Sequence, residues 1–405
     1  MRLLYLQQLL VVPGTGGNDR CWQFARMWQE AGHEITFISS EAHIPPGHPW
    51  RPLPPVGQAK EVDGIQIYFL PVAYHHLMSF PRRILSFIRF FRKALKLGKT
   101  LPKPDAVLAY SAPLSVGKLG QKLAQHHRVP FFFEVADVWP DVPIGMGILP
   151  SWGPGKWLLR KSEKLYQDAR LIFPFSEGMA QQITDHGVSE EKIVTTPNGS
   201  DTGRIGFPTR RGSNPISILY TGTIGVANDL SQLIRALYLI QDQRDIEIQC
   251  NIIGDGNDRD RVTSLAEELN VRSVRFHQAV SREESIRLLA EADIGVVSFA
   301  PFPVLEANAA TKFFDYLAAG LPMVINYQGW QAQYLSEYNC GLSSPQGDVE
   351  AFAANLVKLA RNGTLRQQMS HKGRRLAEKK FDRKMIAHRM IEAIEKASGM
   401  GESAR

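Results

Sequence analysis

The run Thr311-Lys312-Phe313-Phe314-Asp315-Tyr316-Leu317-Ala318-Ala319-Gly320-Leu321-Pro322-Met323-Val324-Ile325 reads as a helix, a sharp stop and a buried strand. Lys312 and Asp315 are three apart, so a helix places them side by side. In the first turn they lie at the positive helix end, where free backbone N–H groups accept an anion. A cation for phosphate beside an acid for hydroxyls suits a sugar nucleotide. The alternative is an amphipathic helix bearing one surface ion pair.

The pattern of that run recurs along the chain. At 405 residues two domains are expected, and 44% hydrophobic with 21% charged residues is the composition of a soluble globular protein. In the first half, Met1–Leu6, Glu34–Ile38, Ile65–Leu70, Ala106–Tyr110, Phe131–Val135 and Leu171–Pro174 read as strands. Helical patterns cover about 18–31, 114–127 and 152–168. The second half has strands at Ile216–Tyr220, Ile246–Ile253, Val274–Phe276, Ile294–Val297 and Met323–Ile325. Strand–helix alternation predicts α/β architecture with parallel, doubly wound sheets. Arg204 to Pro215 has linker composition, and a last helix spans 381–396. Two Rossmann-like domains facing a central cleft are therefore expected: residues 1–205, residues 206–380, and a C-terminal segment 381–405 returning to the first domain. The proline-rich stretch 42–59 reads as an irregular loop.

Cys21, Cys250 and Cys340 form neither a disulfide framework nor a CxxC metal site, which points to a reducing compartment. The N-terminal apolar run is broken by Gln7 and Gln8 and reads as a strand rather than a leader. No apolar stretch reaches the roughly 20 residues a spanning helix needs.

Glycine-rich turns follow several strands. Pro13-Gly14-Thr15-Gly16-Gly17-Asn18-Asp19 follows the first, Tyr220-Thr221-Gly222-Thr223-Ile224-Gly225 opens the second half, and Ile253-Gly254-Asp255-Gly256 follows the next strand. Glycine lets backbone approach a ligand, and each helix start favours an anion. The first turn is not GxGxxG, and no acid ends the second strand at Ser39-Ser40, which argues against an NAD-type site.

Five motifs stand in order: Pro197-Asn198-Gly199-Ser200-Asp201, the Tyr220–Gly225 turn, the Ile253–Gly256 turn, Ala292-Asp293-Ile294-Gly295-Val296, and the Lys312–Val324 segment. Together they resemble glycosyltransferase family 4, in particular its WbuB-like bacterial polysaccharide and O-antigen members. The resemblance spans about residues 1–390 and implies a GT-B fold. It also implies transfer of a sugar, with retention, from a nucleotide donor held by the C-terminal domain, without cofactor or metal. By position, Gly222, Thr223 and Gly225 would line the diphosphate, with Asp255 in the neighbouring turn. Gly16 and Gly17 would approach from the other domain. Val280 would hold the base through its backbone, Thr311 and Lys312 would lie near the phosphates, and Asp315 would bind the ribose. Asp315 stands at the second acid of an E-x7-E pattern; the first falls on Ala307, with Glu306 adjacent as a candidate catalytic acid. Where the family carries an Arg and a Lys for the diphosphate, Val226-Ala227-Asn228-Asp229 follows Gly225.

Glu134-Val135-Ala136-Asp137-Val138-Trp139-Pro140-Asp141 resembles the Asp-x-Trp-Pro segment of the WbuB-like members. Asp137 there could orient an acceptor hydroxyl or stabilise charge at the anomeric carbon; the alternative is a helix cap. In a front-face substitution the leaving phosphate takes the acceptor proton, so no strong protein base is required.

The net charge is +7, with 23 Lys+Arg against 17 Asp+Glu in residues 1–205. The cause is local: Pro81 to Thr100 holds seven basic residues, among them Arg82, Arg83, Arg89, Arg92, Lys93 and Lys96, and no acid. Leu85, Ile88, Phe91, Ala94 and Leu95 follow helical spacing. A basic amphipathic helix suits an anionic membrane surface, here the inner face of the cytoplasmic membrane; a core helix with a solvated basic face is the alternative. Nucleic acid is not expected, because the aromatics do not form a stacking platform. The chain therefore reads as a peripheral transferase that uses a nucleotide sugar, a UDP-sugar above all, to extend a lipid-linked or polysaccharide acceptor. A sugar-nucleotide 2-epimerase or a non-enzymatic two-domain binding protein are the alternatives.

Overall fold

A computed structural model describes residues 1–15, 17–75, 78–111, 113–207 and 214–400. The chain divides into two compact units, Met1–Pro197 with Lys384–Arg405, and Asn198–Arg383. The division at Pro197 precedes the linker-like stretch, and part of that stretch lies outside the described residues.

In the N-terminal unit the strands are β1 (Arg2–Leu6), β2 (Glu34–Ser40), β3 (Lys60–Val62), β4 (Ile65–Leu70), β5 (Ala106–Tyr110), β6 (Phe131–Val135) and β7 (Leu171–Pro174). Their order is β3-β4-β2-β1-β5-β6-β7, parallel throughout except for β3 against β4. β6 is buried at every position and β1 at all but its first, the near-continuous burial of a sheet covered on both faces. The helices are α1 (Arg20–Glu30), α2 (Phe80–Gly98), α3 (Leu114–His127), α4 (Asp141–Gly145), α5 (Pro154–Asp168) and α6 (Glu177–Asp185). Each connecting helix follows the carboxyl end of a strand, and because crossovers between parallel strands are right-handed, the direction of each step across the sheet fixes the face its helix covers. The connections β4–β5, β5–β6 and β6–β7 all advance the same way across the sheet, which puts α2, α3 and α5 on one face. β1–β2 runs the other way and puts α1 on the opposite face. There the C-terminal helix Arg383–Ala397 joins it: Ile386, Ala387, Met390, Ile391 and Ile394 enter the same core, and Trp28 Nε1 donates to the Ala387 carbonyl at 2.8 Å.

β3 was not expected from the sequence. It is a charged edge tripeptide, but Asp63-Gly64 joins it to β4 in a two-residue turn with both residues at positive φ. Asp-Gly is the turn signal that would have found it.

The C-terminal unit holds a wholly parallel sheet, β8 (Ile216–Thr221), β9 (Ile248–Ile253), β10 (Val274–His277), β11 (Ile294–Val297), β12 (Met323–Ile325) and β13 (Gly341–Ser343), ordered β10-β9-β8-β11-β12-β13. Its helices are α7 (Ser231–Ile240), α8 (Arg259–Glu268), α9 (Arg282–Glu291), α10 (Thr311–Ala318), α11 (Trp330–Tyr338), α12 (Val349–Arg361) and α13 (Gly363–Lys380). α10 and β12 are the helix and strand of the Thr311–Ile325 run, with Gly320 at φ +57° between them. A Cβ at Gly320 would collide with the Phe207 ring.

Candidate functional site

At the carboxyl edge of the C-terminal sheet, the turns after β8 and β9 are laced together. Gly222 N donates to the Ile253 carbonyl and Ile224 N to the Asp255 carbonyl, both at 2.9 Å. Tyr220 OH donates to the Thr223 carbonyl at 2.7 Å. Gly254 sits at φ +155°, and a Cβ there would overlap the Gly222 carbonyl, so the close approach of the turns requires glycine. Asp255 is exposed and accepts from its neighbour Gly256 N at 2.8 Å, a turn-forming contact.

Lys312 leaves the first turn of α10 towards this cradle. Its Nζ lies 4.7 Å from the Tyr220 ring centroid. A Cβ at Gly222 would lie 3.4 Å from the same nitrogen. Burial lowers the Lys312 pKa to about 8, and the charge of Asp315 offsets this only in part. Lys312 is thus a half-buried, partly desolvated cation over the glycine turn, held by a cation–π contact.

Asp315 is not half of a surface ion pair with Lys312. Both its oxygens accept from Arg282, Nη1 to Oδ2 and Nη2 to Oδ1, each at 2.6 Å, in a bidentate pair with side chains only 10% and 8% exposed. Arg282 opens α9, whose N-cap Ser281 accepts from Glu284 N. The sequence reading missed Arg282 because its partner is 33 residues away and β11 intervenes. Asp315 therefore meets any ligand as a carboxylate already charge-paired, with only its remaining lone pairs for a hydroxyl.

A second unforeseen cation flanks the cradle. Arg259 Nη1 donates to the carbonyls of Gly254 (2.5 Å) and His277 (2.9 Å), at the ends of β9 and β10. Arg261 pins the segment beyond Gly225: it grips Asp258 with two bonds of 2.6 Å and reaches Asp229 at 3.2 Å. Val280 lines a cavity of about 320 Å³ with Ser217, Asn251, His277 and Glu284.

The Pro-Asn-Gly motif braces α10. Asn198 Nδ2 donates to the Ala309 carbonyl at 3.1 Å and to Thr311 Oγ1 at 3.3 Å, and Ser200 Oγ donates to the Phe314 carbonyl at 2.9 Å. Thr311 is thus occupied in positioning the helix that presents Lys312. Glu306 is half-buried in a short 3-10 turn, Pro303–Ala307, packed against Gly329 before α11.

In the N-terminal unit, Gly17 stands at φ +118° in the turn before α1, and Gly16 lies outside the described residues. Asp137 follows β6 at the carboxyl edge, and burial pushes its pKa up to about 6. It caps no helix: α4 begins at Asp141, with Pro140 at the N-cap. One residue before β6 ends, Glu134 is fully buried and paired with Arg20 and the Tyr5 hydroxyl. Arg20 also donates to the Thr196 carbonyl at 3.0 Å, between the Phe24 and Phe175 rings. This apolar-walled network anchors the strand end that carries Asp137.

On α2, Ser86, Phe90, Ala94 and Leu97 face the core, whereas Phe80, Ile84, Leu85 and Ile88 are exposed. Arg82, Arg89, Arg92 and Lys96 are exposed, and Lys93 donates to the Pro71 carbonyl at 3.1 Å. Arg83 is half-buried beside the Phe80 ring. The helix therefore has two apolar stripes, of which the core uses one. Among the described residues, no helix is long and apolar enough to cross a membrane.

Residues 15–199 match the glycosyl transferase 4-like domain and residues 203–376 match glycosyl transferases group 1. The chain is 22% identical over 312 residues to the putative colanic acid biosynthesis glycosyl transferase WcaI of Escherichia coli, covering 72% of this chain and 74% of that one. Among solved structures it is similar to a sucrose-phosphate synthase of Thermosynechococcus elongatus, with a TM-score of 0.80, 14% identity and 98% of both chains covered. It is also similar to Anabaena HepE in complex with UDP-glucose, with a TM-score of 0.69, 15% identity, and 98% and 100% covered.

Proposed function

Because the chain belongs to the glycosyltransferases, its halves a glycosyl transferase 4-like domain and a group 1 domain, we propose that it transfers a sugar from a UDP-sugar to a growing bacterial polysaccharide or lipid-linked saccharide, with retention, at the inner face of the cytoplasmic membrane. The observation that carries this reading is Lys312, a partly desolvated cation aimed at the Gly222 turn beside the clamped Asp315. HepE, of the same fold, is known with UDP-glucose bound, which supports uridine as the base. WcaI is described as acting in colanic acid biosynthesis, which supports a polysaccharide acceptor.

In this reading the C-terminal unit holds the donor. The diphosphate lies on the N–H groups of the Gly222–Gly225 turn, with Lys312 and Arg259 supplying positive charge, so no metal is required. Lys312 stabilises the negative charge that builds on the leaving phosphate, an interaction stronger in the transition state than in the ground state. The base lies along Val280, and the ribose hydroxyls meet Asp315. Glu306 lies beside the sugar in this reading. The N-terminal unit holds the acceptor, whose hydroxyl Asp137 orients while its proton passes to the leaving phosphate oxygen. The basic stripe of α2 holds the enzyme at anionic lipid.

Titration of the protein with UDP and UDP-sugars, with and without a chelator, tests the site. Lys312→Ala is expected to weaken UDP binding at least tenfold with the chelator making no difference. Unchanged affinity in that variant, or binding abolished by the chelator, refutes the assignment.

A further inference from the structure

The N-terminal unit carries a second apolar and basic surface, on residues the donor site does not use. Ile148 is 70% exposed, Trp152 73% and Trp157 59%, before and within the first turns of α5. Large side chains seldom stand so open in a cluster unless something covers them. α5 has its own core contacts through Gly155, Ser162, Leu165 and Tyr166, so the two tryptophans are surplus to packing. Around them Lys156, Arg160, Lys161 and Lys164 are exposed, and Lys161 Nζ stands 5.4 Å from the Trp157 ring centroid.

The topology puts this cluster beside the outward stripe of α2. α2, α3 and α5 lie side by side on one face, and all three begin at the carboxyl edge of the sheet. The exposed apolar residues of α2, Phe80, Ile84, Leu85 and Ile88, occupy its N-terminal half, and Trp152 and Trp157 lie at the start of α5. Both clusters thus sit along one rim, separated by α3. Two helix–helix spacings of 8–10 Å place them about 20 Å apart.

We propose that the segment Ile148–Lys161 is a second membrane anchor that docks, together with α2, onto an anionic lipid surface. The occupant follows from chemistry. Tryptophan flanked by lysine and arginine is the composition of the lipid headgroup boundary, where the indole buries its rings and keeps its N–H wet. The cations of both helices match an anionic leaflet. Two anchors on parallel helices fix the orientation of the unit on the membrane, which one helix cannot do. The segment begins eleven residues after Asp137, on the same connection between β6 and α5, so docking it brings the connection that carries the candidate acceptor carboxylate to the lipid surface that supplies a lipid-linked acceptor. The inference rests on the membrane reading given above for α2.

The test uses the full chain with vesicles of phosphatidylcholine, alone or mixed with phosphatidylglycerol. Three variants are compared: Trp152→Ser/Trp157→Ser, Lys156→Ala/Arg160→Ala, and Arg89→Glu/Arg92→Glu/Lys93→Glu on α2. The wild type is expected to bind anionic vesicles with a blue shift of tryptophan emission, which the double tryptophan variant loses. Lys156→Ala/Arg160→Ala is expected to lower the partition coefficient about 25-fold, at about fivefold for each cation near the surface. The thermal shift produced by UDP should persist in every variant, which shows that each is folded. If the two α5 variants bind like the wild type while the α2 variant does not, the second anchor is refuted and the α2 reading stands. If the wild type ignores anionic vesicles, both fall. A concentration-dependent dimer that the tryptophan variant abolishes, with lipid binding intact, also overturns the inference, since the patch then serves a second copy of the chain.

Discussion

Lys312 should make donor binding depend on pH in a way that no other residue of the cradle would. Burial lowers its pKa to about 8 in the free protein, and a bound diphosphate, by adding negative charge, raises it again. If only the ammonium form binds, about nine in ten molecules are competent at pH 7 and about one in eleven at pH 9. UDP affinity should therefore fall about tenfold between those values. The last ionisation of a phosphate lies near 6 and is complete over this range. Calorimetry in buffers of different ionisation enthalpy measures the linked proton: at pH 8 the wild type should take up about half a proton more than Lys312→Arg, in which the phosphate contribution is the same. Lys312→Arg stays charged throughout and should bind with a flat profile. Ionisation of the base is common to both proteins and cancels in their ratio. A wild-type profile parallel to that of Lys312→Arg, or no proton uptake beyond that variant's at pH 8, refutes the placement of Lys312 at the phosphates. The same burial has a stability signature of defined sign. With the folded pKa below the unfolded one, the unfolded chain holds more protons between pH 8 and 10.5, so the Lys312 contribution to stability rises with pH across that window.

Three further outcomes follow from the geometry. Arg282→Ala leaves the Asp315 carboxylate buried without its bidentate partner and should cost about 3–5 kcal/mol, a fall of about 10 °C in Tm by calorimetry. Arg282→Met/Asp315→Leu should recover most of that loss yet bind UDP poorly, and a double variant that binds UDP normally would exclude Asp315 from the ribose. Asp137→Asn should abolish turnover while leaving UDP affinity unchanged. With a pKa near 6, the wild-type rate should fall on an acid limb below pH 6, and a limb absent from kcat/KM would refute the role. Because burial raises that pKa, the charged form costs stability as pH climbs from about 4 to 6, so the Asn variant should be no less stable at pH 7. Gly254→Ala forces a Cβ against the Gly222 carbonyl and should cost on the order of 3 kcal/mol by denaturant unfolding, with loss of UDP binding.

The strands were legible because the two sheets are mostly parallel and covered on both faces. Phe131–Val135, apolar but for Glu134, and Ile294–Val297 are short runs with no alternation, and the structure has those bounds. Edge elements were less legible: Lys60–Val62 and Gly341–Ser343 have little apolar content, because an edge strand buries less. The cradle glycines were readable as turn signals. The reason two of them must be glycine, the interpenetration of the turns after β8 and β9, was not, since it joins residues 32 apart. The helical spacing of α2 was also visible, but spacing does not say which stripe faces inward; the core takes Ser86, Phe90 and Ala94 and leaves Ile84 and Ile88 outside.

The sequence by itself determined that the chain builds two nucleotide-binding-type sheets and that Lys312 and Asp315 share a helix face, because periodicity and turn chemistry act over a few residues. Only the tertiary structure decided what those two side chains are. Asp315 belongs to Arg282 rather than to its helical neighbour, and Lys312, over the Tyr220 ring, is turned towards the glycine cradle that Arg259 flanks. The physical reason is that an ion pair forms with whichever partner the fold delivers to hydrogen-bond distance at low exposure, and that delivery depends on strand order rather than on position in the chain.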